Sequence, residues 1–175
     1  MVKGVQDRRC LPNVEPEVLG AACCDMIRLG KPGEFGYKGH LVDNADGVVL
    51  DHTVEIGAPP DAPMLAPAIA RITRRTGRTP RAVTAYRGYG QASVENDLRE
   101  LGARTVVIPR QAKPGPARRD VEHRRSFRRL VEWRTGSEGR ISHLKHGYGW
   151  NRTRLDGIHG ARSWCGHGVF AHNPV

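Results

Sequence analysis

The 175-residue sequence predicts a single mixed α/β domain, and three observations lead to that prediction. Two apolar segments at 36–42 and 48–56 flank the Asp46-Gly47 dipeptide, which is a strong signal for a β-hairpin. Further along the chain, amphipathic segments alternate with short apolar runs in the order helix, strand, helix, strand. A hairpin followed by such an alternation is typical of a mixed sheet with crossover helices.

The elements after the hairpin can be placed from local signals. Asp61 is expected to cap a helix whose apolar face ends near Gly77, and Ser93 is expected to cap a second helix that ends at Gly102. Short strands are predicted at 81–86 and 104–109. A connection at 111–119 leads into a basic helix over 118–133. The segment 18–27 fits a short helix or a buried strand equally well, because periodicity cannot separate the two.

Positive charge is concentrated in one segment of the chain. The formal net charge is +10, and residues 110–154 hold thirteen Lys and Arg against four Asp and Glu. This concentration favours contact with a polyanion such as DNA or RNA, although a solvated basic face would give the same composition. The sequence contains no long apolar run and no N-terminal secretion signal. Its four cysteines have no C-x-x-C spacing, so we expect free thiols and a cytoplasmic, nucleoid-associated protein without a membrane partner.

The stretch from Arg134 to Lys145 places one carboxylate, Glu138, among cations. In a helix, Arg134, Glu138, Ser142 and Lys145 would share one face. A lone acid on a basic face is compatible with a site where a metal ion meets a phosphate. The alternative is an ordinary surface ion pair. Because Gly136 and Ser137 interrupt the stretch, a helix that begins only at Ser137 is also compatible with the sequence.

Five stretches resemble the catalytic domain of DDE transposases from bacterial insertion sequences, in the order of that family and over most of the chain from about Gly33 to Asn173. The resemblance implies a ribonuclease H-like fold in which three acids bind two Mg²⁺ ions for DNA cleavage and joining. It also implies transposon ends and target DNA as partners, and a homodimer within a synaptic complex. The stretches are Glu34-Phe-Gly-Tyr-Lys38, Gly57-Ala-Pro-Pro-Asp61, Thr84-Ala-Tyr-Arg-Gly-Tyr-Gly90, 133–145 and Gly166-His-Gly-Val-Phe-Ala-His-Asn173.

By resemblance, Glu138 is the third catalytic acid and the metal ligand, and Arg134 and Lys145 contact DNA. The Tyr of the family's Tyr-Arg-Glu-Lys signature falls on Val131, and Tyr86 stands where the family has its second Asp. A neutral phenol is a poor Mg²⁺ ligand. Further DNA contacts are expected from arginines in or near the basic helix. These are Arg124, Arg125, Arg128, Arg129 and Arg140.

The first catalytic Asp has no counterpart in a recognisable motif, and only Asp7 and Asp25 are placed to substitute for it. We therefore expect the fold to lack its first strand. The chain then divides into a divergent head (1–32), a strand-rich half (33–110), a basic linker and helix (111–133), and the third-acid helix with a C-terminal tail (134–175). The predicted function is that of a transposase fragment that binds DNA with lost or severely reduced cleavage. The alternatives are a non-catalytic nucleic-acid-binding protein and a poorly folded transposon relic.

Two weaker signals lie in the C-terminal tail. His159, Cys165, His167 and His172 could ligate zinc, but their spacing matches no strong template. Trp150 and Trp164 suit base stacking or core packing, and core packing is the favoured interpretation.

Overall fold

A five-stranded mixed sheet forms the centre of the molecule in this computed structural model, which describes residues 18–25 (backbone only), 36–57 and 59–173. The sheet order is β3-β2-β1-β4-β5. β1 and β2 are antiparallel, as are β2 and β3, while β4 runs parallel to both β1 and β5. The strands are β1 (Val18–Asp25), β2 (Tyr37–Asn44), β3 (Val49–Ile56), β4 (Ala82–Ala85) and β5 (Thr105–Val107).

The mixed sheet is as predicted, but the expectation that the first strand is missing is wrong. β1 is the central strand and pairs with β2 on one side and β4 on the other. It lies inside the segment 1–32 that the sequence indicated only as a divergent head. The strand has the sequence Val-Leu-Gly-Ala-Ala-Cys-Cys-Asp, in which polar and apolar residues do not alternate. Such sequences are typical of central strands, and periodicity cannot identify them. The reason to expect a poorly folded relic is therefore removed.

Helices cover both faces of the sheet, so that the domain has three layers. One apolar core lies under α1 and α2 and includes Leu65, Ile69, Val83 and Leu98. The other lies under α4 and α5 and includes Leu41, Leu144 and Trp150. The helices are α1 (Ala62–Thr76), α2 (Ala92–Glu100), α3 (Pro116–His123), α4 (Arg125–Gly147) and α5 (Gly157–His172).

Several predicted helix boundaries differ from the structure. Asp61 stands at the N-cap of α1 but makes no capping hydrogen bond, because its carboxylate pairs with Lys38. α2 begins at Ala92, so Ser93 lies inside its first turn. The basic helix is two helices that meet at Arg124, whose backbone is extended. α3 starts within the predicted connection at 111–119.

The C-terminal segment is helical, although its glycine content gave no helix signal. Trp150 is fully buried and donates its indole N–H to the Cys165 carbonyl oxygen at 3.1 Å. Trp164 packs against the same core, which confirms the core interpretation for both tryptophans. Within the described residues, no helix is long and apolar enough to cross a membrane.

Candidate functional site

Helix α4 carries the predicted third acid across the middle of the sheet. It packs on β1, β4 and β5, and its buried positions 134, 137, 141 and 144 recur at helical spacing. The helix runs unbroken from Arg125, so the alternative start at Ser137 is wrong. Arg134 is only 9% exposed, whereas the Glu138 side chain is 59% exposed. The two residues form an ion pair, with Arg134 Nη2 at 2.9 Å from Glu138 Oε1.

Tyr86 lies directly after β4 and faces this ion pair. The Arg134 guanidinium carbon lies 5.9 Å from the centroid of the Tyr86 ring. The ring also meets Tyr89 edge-on at 5.0 Å between centroids. A Cβ added to Gly88 would lie 2.5 Å from Cε2 of Tyr86, so only glycine leaves room for the ring in this position. The structure therefore brings Tyr86, Arg134 and Glu138 into one cluster, which we call the Tyr86 cluster.

The register of β1 shows how the central strand approaches Tyr86. Ala21 pairs with Ala85, which is the last pair in the parallel ladder between β1 and β4. Asp25 is the last residue of β1 and pairs with Lys38 of β2, four residues beyond Ala21. Asp7 lies outside the described residues. The ladder thus ends one residue before Tyr86, and β1 is described by its backbone alone.

A second contact, which the sequence did not indicate, ties α4 to the sheet. Asp43 on β2 is fully buried and accepts a hydrogen bond from Ser137 Oγ at 2.9 Å. The Arg140 guanidinium pairs with the same carboxylate. Burial raises the pKa of Asp43, and the charge of Arg140 and the two hydrogen bonds oppose that rise. From the sequence, Asp43 is predicted only as part of the turn, because it lies shortly before Asp46-Gly47. No local signal predicts its contact with α4.

A buried carboxylate on α2 organises part of the basic segment. Glu95 is fully buried and pairs with Arg99, Arg110 and Arg118, at 2.5 Å for Arg118. Glu122 on α3 accepts hydrogen bonds from Arg118 Nε and from the backbone N–H of Arg110, both at 2.9 Å. Two arginines of the 110–154 segment are therefore engaged inside the protein. No local pattern predicts this network as a whole, because Glu95 lies far from Arg110 and Arg118 in the chain.

The remaining predicted DNA contacts differ in exposure. Arg124, Arg125, Arg128 and Arg129 are exposed on and just before the first turns of α4, and the described residues include no acidic partner for them. Lys145 is half-buried in the last turn. Arg134 and Arg140, in contrast, have internal partners.

The Tyr86 cluster does not fit the Mg²⁺ ions that the resemblance implies. Mg²⁺ prefers oxygen ligands, and the two ions that the resemblance implies need several carboxylates between them. The cluster offers one carboxylate, Glu138, which already pairs with Arg134. The position directly after β4 holds the phenol of Tyr86, which is a poor Mg²⁺ ligand. Across the described ranges, no three His, Cys, Asp or Glu side chains are arranged to hold a metal ion, and this includes the four residues considered for zinc.

Comparisons with known proteins agree with the predicted family and fold. A family model described as "Transposase DDE domain" matches residues 27–173. Among solved structures, the fold is similar to the catalytic core domain of BIV integrase, with 11% sequence identity and a TM-score of 0.51. The alignment covers 89% of this chain and 82% of the integrase chain. This likeness concerns the fold alone and confirms the ribonuclease H-like prediction. No curated protein matches the chain significantly.

Proposed function

The chain belongs to the transposase DDE domain family, and from that premise we propose that it binds DNA without cleaving it. The observation that supports loss of cleavage is the composition of the Tyr86 cluster. Metal-dependent cleavage and joining require several carboxylates that hold two ions around the reacting phosphate. Here the residue directly after β4 is Tyr86, and the Glu138 carboxylate already pairs with Arg134.

The proposed DNA surface is the exposed arginine group Arg124, Arg125, Arg128 and Arg129, extended by Lys145. We place the surface there because these cations face solvent, whereas Arg110, Arg118 and Arg140 neutralise buried carboxylates. Phosphate contacts of this kind supply affinity that falls steeply with salt. On the same premise, the proposed partners are transposon ends and target DNA, with two copies in a synaptic complex on the nucleoid.

A salt titration of DNA binding tests this proposal. We expect the affinity for duplex DNA to be independent of Mg²⁺ and to fall linearly on a log–log plot against salt concentration. Replacement of Arg128 and Arg129 by glutamine should lower the slope by about 2, because each lost phosphate contact removes about 0.9. Fluorescence anisotropy with a labelled duplex gives both quantities.

The matched control is the double replacement of Arg74 and Arg104 by glutamine. Both arginines are exposed, one in the last turn of α1 and the other just before β5, and their loss changes net charge equally. We expect a slope close to that of the natural sequence for this control. Equal slopes for the two double variants would show that only net charge matters, and binding that requires Mg²⁺ would contradict the proposal.

A further inference from the structure

We propose that His143 and His172 form a binding site for a divalent transition-metal ion of the Zn²⁺ or Ni²⁺ kind, which joins the end of α5 to α4. The site is separate from the Tyr86 cluster and goes beyond the proposed function, because it needs neither DNA nor a catalytic acid. The sequence grouped His172 with three other residues of α5 as possible zinc ligands, whereas the fold places it beside an imidazole from another helix.

The first support is the separation of the two imidazole rings. Their centroids lie 5.5 Å apart, and the ring planes are inclined by 63°. A zinc ion lies about 2.0–2.1 Å from each histidine nitrogen that binds it. With the distance from each nitrogen to its ring centre added, two imidazoles on one tetrahedral ion have centroids about 5 Å apart. The two rings therefore stand close to the separation that a shared ion requires.

The second support is the hydrogen bond that orients His172. Its Nε2 lies 3.1 Å from the carbonyl oxygen of Gly47, in the turn between β2 and β3. A carbonyl oxygen only accepts, so Nε2 carries a proton, and in the neutral imidazole Nδ1 then has a free lone pair. Histidines that bind metal ions almost always donate their other N–H to a backbone carbonyl, a carboxylate or water. Within the described residues, no hydrogen bond occupies Nδ1 of His172.

The third support is the way in which the two rings are held. A Cβ at Gly147 would lie 3.8 Å from Nδ1 of His143, so this nitrogen faces the last turn of α4 and Nε2 remains accessible. Tyr148 meets both imidazoles edge-on, at 5.3 Å from His143 and 5.8 Å from His172 between centroids. The phenol ring restricts both imidazoles, so little rotational freedom is lost when an ion binds.

The charges around the pair permit a bound cation. Arg140 lies beside Gly47, but its guanidinium pairs with the buried carboxylate of Asp43. Asp46 is exposed in the same turn and adds a negative charge. Helix α5 ends at His172, where the negative end of the helix dipole favours a cation.

The unfolding temperature of the DNA-free protein tests the site. Ni²⁺ is the probe, because imidazole nitrogens suit this ion. At ten times its Kd, Ni²⁺ should raise the unfolding temperature of the natural chain by roughly 4 °C, whereas Mg²⁺, which prefers oxygen ligands, should have no effect. His143→Gln and His172→Gln should each abolish the shift. The first replaces an exposed side chain, and the second keeps a donor for the Gly47 carbonyl, so both variants should fold.

The matched control is His167→Gln. His167 is exposed on the same helix as His172 and lies outside the pair, so this variant should keep the full shift. A shift that persists in either His143→Gln or His172→Gln would assign the ion to other groups and overturn the inference. Absence of a shift in the natural chain would overturn it as well. DNA enters none of these measurements, so their outcome is independent of the proposed function.

Hydrogen exchange followed by mass spectrometry shows where the ion acts. Asn173, which directly follows His172, accepts a hydrogen bond from the backbone N–H of Val49 at 2.8 Å. Ni²⁺ should therefore slow exchange of the Val49 amide several-fold in the natural chain and leave it unchanged in His143→Gln. Peptides from α1, on the other face of the sheet, are the internal control and should not respond. Unchanged exchange at Val49 in the ion-saturated natural chain would contradict a link between α5 and α4.

Discussion

At the scale of single residues, one imidazole is buried without a hydrogen-bonding partner. His40 on β2 is fully buried, and neither of its ring nitrogens makes a hydrogen bond. Burial lowers its pKa to about 4, a fall that the nearby Asp51 carboxylate only partly opposes. The neutral ring meets Tyr89 edge-on at 5.7 Å. The native fold therefore tolerates His40 only in its uncharged form.

This burial predicts a loss of stability in mild acid. Between pH 6.5 and about 4, the unfolded chain protonates His40 while the folded chain does not, so the free energy of unfolding decreases as pH falls. Across this pH range, the free energy of unfolding should decrease by about 3 kcal/mol because of His40. His52, whose pKa is also lowered by burial, acts in the same direction. The raised pKa of Asp43 acts in the opposite direction at pH values above the ordinary value of 3.8.

Urea unfolding across that pH range measures the effect. His40→Leu should flatten the pH dependence of the free energy of unfolding. It should cost little stability at neutral pH, because leucine replaces an imidazole without hydrogen bonds by an apolar side chain of similar size. The exposed His167 on α5 supplies the control variant His167→Leu, which should keep the acid-sensitive profile. A His40→Leu protein that loses stability in acid as steeply as the natural one would contradict the account.

At the level of residues, the sequence can single out positions that lie in a motif, but it cannot reveal contacts that join distant segments. Glu138 and Tyr86 could be singled out because each lies in a recognisable stretch, and the fold brings both to Arg134. Asp43 and Ser137 are 94 positions apart, and nothing local marks either residue. The same holds for Glu95 and Arg118. Such pairs become visible only once the sheet order is known.

At the scale of elements, the outer strand β3 is covered by side chains from two helices. Asn173, just after α5, accepts from the Val49 N–H at 2.8 Å and donates to the Val49 carbonyl at 2.9 Å. Arg75 on α1 donates to the Leu50 carbonyl at 3.0 Å, and Arg162 on α5 donates to the Val54 carbonyl at 3.1 Å. Open strand edges favour association between chains, and these side chains cover much of the outer edge of β3.

Asn173→Ala should therefore have two effects. Loss of both hydrogen bonds to Val49 should lower the free energy of unfolding by about 1–2 kcal/mol. The uncovered edge should also increase concentration-dependent association, which static light scattering detects. Asn151→Ala, at an exposed position between α4 and α5, is the matched control and should change neither quantity. A monomeric Asn173→Ala protein of unchanged stability would show that the cover has no energetic role.

The sequence predicted the hairpin but offered no signal for the C-terminal helix, and glycine explains both outcomes. Gly47 has φ +82° in the turn between β2 and β3, a conformation that the Asp46-Gly47 signal predicts. In α5, glycines reduce the intrinsic helix propensity and mask the helix. They allow close packing instead, since a Cβ at Gly168 would lie 2.7 Å from Nε1 of Trp150. Tertiary contacts thus override local propensity.

At the scale of the whole molecule, the sheet includes its central strand, while the position directly after β4 holds Tyr86 and not an acid. β1 stands in the centre of the sheet, and α4 crosses it next to β4, which is an arrangement that could present three acids together. Of the residues that meet there, Tyr86 follows β4 and Glu138 lies on α4, where it pairs with Arg134. The sequence could predict the fold family from its motifs, but it could not reveal β1, whose apolar run lacks periodicity. The central claim is accordingly that a transposase-type scaffold is kept with a site that binds DNA and does not cut it.

A DNA cleavage assay with the purified full chain in Mg²⁺ or Mn²⁺ tests that claim most directly. The natural protein should shift labelled DNA but produce no more strand breaks than Glu138→Ala. Tyr86→Asp alone should remain inactive, because it adds one carboxylate to Glu138, which stays paired with Arg134, whereas two ions need several carboxylates. Metal-dependent cleavage by the natural chain that disappears in Glu138→Ala would contradict the claim.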